Sequence, residues 1–274
     1  MDLMSTSYLA TGIAALVLYL LAAILLWRSA APHGEQAGIG GKSALIVTLI
    51  LVLAAVAHGV TLHNQAYRAG ELNFSFFNSL SITAWFTTLL LLFVSIFRPV
   101  LTLGLVVFPI NVFVLSLALV FHGQYSLEVE PQLQWHVLIS VIAYALLTMA
   151  AVQSILVAMQ NRRLRAHRPG GFLRALPALT LMEQVLLQLL IASFILLSLS
   201  LITGFVFLDD LFAQRLVHKT ALSILALLLI ATLLVGHFRF GWRGQKAAHM
   251  TLGAYIALVL GYFGSKFVKE LLLA

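Results

Sequence analysis

The 274-residue chain has no cysteine and little charge: Asp, Glu, Lys and Arg together make up only 9% of it. Without cysteine there are no disulfides, no thiol redox chemistry and no covalent C-x-x-C-H cofactor attachment, so any metal must be held by His or oxygen ligands. An ordinary soluble domain is about 25% charged. With 62% apolar residues this chain cannot coat a water-facing surface, which excludes a soluble globular protein. The net charge of +7 does not point to nucleic acid, because most basic residues lie in short segments between apolar runs. There they orient membrane helices.

What is present is a series of eight apolar runs, at roughly 8–27, 44–62, 79–97, 100–121, 136–158, 184–207, 218–237 and 249–266. Each approaches the 20 or so residues a membrane-spanning helix needs. The expected fold is all-α, a polytopic bundle of about eight transmembrane helices, treated as one domain over 1–274. Asp2 in place of a basic leader, and a first run too long for a signal-peptide core, predict that the first run stays as a helix. Arg98-Pro99 joins the third and fourth runs and predicts a tight hairpin. Of the lysines and arginines, eleven fall in one set of alternate segments and five in the other (Arg68, Arg215, Lys219, Lys266 and Lys269). The positive-inside rule then places both termini outside and the arginine-rich segment 160–176 in the cytoplasm, in the cell inner membrane.

No acid stands at mid-membrane, where ion paths and proton relays keep theirs; Glu183, Asp209 and Asp210 fall at helix ends. The buried amides Asn111, Gln153, Gln184 and Gln188 are expected to hydrogen-bond between helices. Asn111 follows Pro109, which also admits a loosened fourth helix. No set of nucleophile, base and orienting group is visible, and Gly41-Lys42-Ser43 lacks the earlier glycine of a phosphate loop. No enzyme activity and no catalytic residue are expected.

Nine histidines are many for a chain so poor in other polar groups. His58, His63, His122, His136 and His218 fall near the outer helix ends; His33, His167, His237 and His249 fall at or beyond the inner ones. His33 and His167 sit among solvated loop residues. His58, inside the apolar stretch 51–60, needs a partner. For each histidine alone, the plain reading is an interfacial side chain bonded to water or a carbonyl. A set drawn from several helices favours a shared ligand, and neutral imidazole is a good axial nitrogen for haem iron. His218 and His237 are 19 residues apart, about 28 Å along one helix, so they cannot serve the same iron.

Several of these segments resemble cytochrome c assembly proteins of the CcsA type. Trp135-His136-Val137 followed by Tyr144 resembles the family's "HV…Y" helix start. The stretch 193–204 (SFILLSLSLITG) is similar to its "GFpLLTiGiitG" helix. Gly236-His237-Phe238-Arg239-Phe240-Gly241-Trp242-Arg243-Gly244, then Ala247-Ala248 and Tyr262-Phe263-Gly264, is similar to its "LHxR…GWRGrrAA…tyfG" ending. Phe76-Phe77-Asn78-Ser79-Leu80 resembles its "lyESL" segment, with Asn78 in place of Glu. The likeness spans about 58–266. The tryptophan-rich haem loop expected after Gly204 is absent from 205–219, and so is the usual C-terminal histidine, as in the shorter YpjD-like and HemX-like members.

The resemblance implies a haem-handling inner-membrane protein of cytochrome c maturation that holds haem b non-covalently. By motif match His136 is an outer haem-iron ligand and His237 an embedded one nearer the cytoplasm. His58 and His218 complete the expected cofactor-binding set, with lipid and a membrane protein of the maturation machinery as partners. Two other readings stand beside it. One is a transporter for, or a membrane accessory to, divalent-cation efflux, using outer histidines with Asp209 and Asp210. The other is a structural partner of another membrane complex, docking through its arginine-rich loop.

Overall fold

The computed structural model describes residues 3–30, 41–66, 72–121, 126–127, 131–166, 176–207, 217–268 and 270. Among them, eight helices are long and apolar enough to cross a membrane: Ser7–Ser29, Gly41–Gln65, Phe76–Phe97, Leu101–Val120, Leu133–Arg165, Leu179–Phe207, Val217–Phe240 and Gly244–Phe267. Every apolar run became a helix, and most are longer than the run that announced them. Hydropathy marks the part in lipid, whereas the backbone stays helical into the polar flank. The helix of the fifth run, for example, continues through Arg162, Arg163 and Arg165.

By its internal contacts the chain divides into two compact units. The first comprises residues 1–128 and 169–177 and contains α1 (Leu3–Ala30), α2 (Gly41–Ala66), α3 (Phe76–Phe97) and α4 (Gly104–Val120). These pack in a ring, α1 on α2, α2 on α3, α3 on α4 and α4 on α1. Two-residue strands, Leu72–Asn73 and Ser126–Leu127, pair antiparallel beside them. The hairpin at Arg98-Pro99 is present, with Arg98 extended (φ −139°, ψ 143°), as the residue before proline is driven to be. A 3-10 turn, Leu101–Leu103, then leads into α4. Pro109 lies within a continuous α4, so the loosened helix is not seen.

The second unit, residues 129–168 and 178–274, contains α5 (Pro131–Arg165), α6 (Leu179–Phe207), α7 (Val217–Phe240) and α8 (Gly244–Val259). It closes a similar ring, α5 on α6, α6 on α7, α7 on α8 and α8 on α5. The α8 helix runs on through a π-helical turn, Leu260–Gly264, to Ser265–Phe267. Lipid is as apolar as leucine, so close backbone approach and interhelical hydrogen bonds do the work of association. The buried face of α8 is correspondingly small-sided: Gly244, Ala247, Ala248, Thr251, Ala254 and Ala257 lie inside with Leu258. Large residues such as Ile256 and Leu260 face outward.

Candidate functional site

In the first unit, His58 of α2 is completely buried. Its Nδ1 pairs with the Tyr19 hydroxyl of α1 at 3.2 Å and its Nε2 with Ser81 Oγ of α3 at 2.9 Å. Tyr19 continues to Thr88 Oγ1 at 3.1 Å, to which Asn111 Nδ2 of α4 donates at 2.6 Å. One polar chain thus joins all four helices. The partner that a buried histidine requires is protein, and in this arrangement neither ring nitrogen of His58 is open to a metal. Asn111 bonds between helices as the sequence suggested, and in the second unit Gln153 does the same, donating to the Met182 carbonyl at 2.8 Å. Gln184 and Gln188 are exposed instead.

His136, in the first turns of α5, is half-buried against α6. Its Nδ1 pairs with Thr203 Oγ1 at 3.0 Å. The imidazole lies over Gly204, where an added Cβ would come to 3.1 Å from its Cε1. One turn on, Ser140 Oγ donates to the His136 carbonyl at 2.6 Å and pairs with Ser200 Oγ at 2.7 Å. Glycine, threonine and serine on one α6 face therefore fix this ring. Nε2 has no side-chain partner among the described residues.

At the other end of the same unit, α7 stops at Phe240 because Gly241 turns into the left-handed region (φ +65°). The Gly241 N–H caps the His237 carbonyl at 3.0 Å. Gly244 (φ +58°) opens α8 and donates its N–H to Glu183 Oε1 of α6 at 3.1 Å, while Gln245 Nε2 donates to the Ala158 carbonyl of α5 at 3.0 Å. Within this clamped turn His237 Nδ1 donates to the Trp242 carbonyl at 3.0 Å. A carbonyl can only accept, so Nδ1 carries the proton of the neutral ring and Nε2 keeps its lone pair. Lys246 Nζ sits 3.4 Å over the Trp242 ring, and Phe238 meets the His237 ring edge-on at 5.4 Å. A cavity of about 20 Å³, bounded by Glu183, Leu190, His237 and Gly244 among others, has room for one water.

The two oriented imidazoles serve opposite ends of the unit. Thr203 beside His136 and Glu183 beside the His237 turn are 20 residues apart on α6, about 30 Å. His218 opens α7 at the His136 end and is exposed, with no hydrogen bond among the described residues. His33, His122, His167, Asp209 and Asp210 lie outside the described residues. Among the described residues no three His, Asp or Glu side chains are grouped to hold a metal ion. Sequence reasoning missed the anchoring role of Glu183, whose partner is 61 positions away, and an open apolar groove of about 360 Å³ in the first unit. Gly59, His63 and Trp85 are among its lining residues. The packing of Trp85 over Gly59 is invisible to periodicity.

Eight helices long and apolar enough to cross a membrane, with α8 burying small residues and exposing large ones, define a multi-pass membrane protein. Over residues 46–273 the chain matches the family described as cytochrome C assembly protein, and it belongs to that family. Membership gives it a role in cytochrome c biogenesis. It is 29% identical to the inner membrane protein YpjD of Escherichia coli K12 over 226 residues, 81% of this chain and 85% of that one. It is also 44% identical over 140 residues to a 28.8 kDa protein of Azospirillum brasilense named for a nifR3-like 5′ region. That second match covers 50% of this chain and 52% of the relative, about half of each. No solved structure matches the chain.

Proposed function

We propose that the chain is an inner-membrane haem-binding protein of cytochrome c maturation, with His136 and His237 offering Nε2 to haem iron at opposite ends of the second unit. The observation that carries this reading is the hydrogen bond from His237 Nδ1 to the Trp242 carbonyl. It holds the tautomer and ring orientation that metal-ligating histidines have. The contact of His136 with Thr203 and Gly204 positions the second ring. The donor chemistry fits haem b, whose iron takes axial nitrogen and supplies the redox-active centre when bound.

The cavity beside His237 has room for only one water, and the exposed apolar side chains beside it are Phe238 and Phe240, 67% and 72% exposed; these would be the residues next to a group held by His237. His218, at the His136 end, is the remaining exposed imidazole and the second outer candidate. His58 is not carried into this site, because both its nitrogens already serve the helix contacts of the first unit.

The test is an absorption spectrum of the detergent-purified chain from haem-replete cells. A Soret band that weakens in His136→Ala and again in His237→Ala supports the proposal. A colourless protein that takes up no added haemin overturns it.

A further inference from the structure

Three cations crowd the turn between α7 and α8. Arg239 lies in the last turn of α7, Arg243 stands just before α8 and Lys246 lies in its first turn. All three are exposed. Neither arginine has a hydrogen bond or ion pair among the described residues. The Lys246 ammonium rests on the Trp242 ring, a contact that leaves its charge whole. Carboxylates that could neutralise the group are scarce in the sequence itself. Of its nine acids, two, Glu35 and Glu183, fall in segments on this side when the eight spans alternate. Glu183 is already engaged by the Gly244 N–H. With both acids spent on the turn, its three cations would still outnumber them, and Arg162, Arg163 and Arg165 end α5 on the same side.

The platform under these charges is fixed. Trp242 packs on Gly236, where no Cβ fits, and its N–H donates to the Gly236 carbonyl at 3.2 Å. Phe240 stacks beside Trp242, ring centres 6.1 Å apart. Phe238 and Phe240 are exposed, so apolar surface adjoins the cations. We infer that Arg239, Arg243 and Lys246 bind the phosphate of an anionic phospholipid, whose acyl chains lie against Phe238 and Phe240. Charge and apolar surface together select this occupant: a free anion or an acidic protein has no use for exposed phenylalanines at a membrane boundary. The guanidinium fork matches phosphate oxygens, aromatic rings settle at headgroup level, and basic residues at a helix end attract anionic lipid. The inference uses neither oriented imidazole and stands apart from the haem reading. Arg243 does border the small cavity beside His237, so a porphyrin carboxylate is the rival occupant.

The test titrates the full chain, purified in detergent, with phosphatidylglycerol and with phosphatidylethanolamine, and reads bound lipid by native mass spectrometry. Wild type is expected to bind phosphatidylglycerol the more tightly. Arg239→Gln with Arg243→Gln is expected to weaken phosphatidylglycerol binding about thirtyfold, about fivefold for each cation, and to leave phosphatidylethanolamine binding unchanged. Arg239→Lys with Arg243→Lys retains the preference and controls for folding. Arg162→Gln with Arg165→Gln removes the same charge from the end of α5 and is expected to leave the preference intact. Equal binding of the two lipids by wild type overturns the inference, as does a preference that survives Arg239→Gln with Arg243→Gln. An equal loss in the two glutamine pairs also overturns it, because retention would then follow net charge and not this turn. A last arm adds haemin and haemin dimethyl ester, whose carboxylates are blocked. A preference for haemin that falls in Arg239→Gln with Arg243→Gln, while phosphatidylglycerol binding does not, assigns the arginines to a porphyrin carboxylate and overturns the lipid assignment.

Discussion

At His237 and His58 the same side chain meets opposite surroundings. One nitrogen of His237 is held by the Trp242 carbonyl and the other is left with its lone pair; both nitrogens of His58 are used by Tyr19 and Ser81. The sequence supplied the candidates through depth and through motif likeness, but not this division. A hydrogen-bond partner 23 or 39 positions away leaves no mark on local hydropathy. Replacing His58 with Leu takes the imidazole partner from buried Ser81 and leaves the Tyr19 hydroxyl with Thr88, at about 1–3 kcal/mol for a buried group left unsatisfied. Thermal unfolding of the purified variant is expected at a lower temperature than wild type, with haem content per folded chain unchanged. For the second unit, full-chain 15N-histidine NMR is expected to find His237 protonated at Nδ1. A ring protonated at Nε2 would remove the basis for its ligand role.

The eight helices themselves were legible, because a long uncharged apolar run has few other outcomes. Which face of each helix turns inward was not. With apolar side chains on both sides, burial follows size and not hydropathy, as the alanine-lined face of α8 shows. The turn joining α7 to α8 was recognisable from its glycines and tryptophan, but its attachment to α6 through Glu183 was not. Gly244→Ala forces a side chain into left-handed backbone, at about 1–2 kcal/mol, and presses it on Asn161. Glu183→Ala removes the carboxylate that receives the Gly244 N–H, whereas Glu183→Gln keeps an acceptor oxygen. Both alanine variants are expected to broaden or shift the His237 imidazole signal, and the glutamine variant to leave it in place. An unmoved signal in Glu183→Ala would show that the turn holds itself. At the other end, Gly204→Leu is expected to push the His136 ring off Thr203 and weaken the outer site alone.

For the whole molecule, the absence of cysteine makes orientation directly measurable. Arg163 and His237 lie at one end of the second unit, His136 and His218 at the other. From the excess of arginine and lysine, the positive-inside rule predicts the first end in the cytoplasm. A single cysteine at position 163 is expected to react with an impermeant maleimide only after the membrane is opened, and one at position 218 in intact spheroplasts. The reverse pattern would invert the account and place His237 outside.

The central claim, that two oriented imidazoles at opposite ends of one four-helix unit hold haem, is tested most directly by counting haem per purified chain by pyridine haemochrome assay. Wild type, His136→Ala, His237→Ala, the double variant and His58→Leu are compared after expression in haem-replete cells. The account predicts a partial loss in each single alanine variant, near-complete loss in the double and no loss in His58→Leu. Equal haem in all five, or a loss confined to His58→Leu, would contradict it.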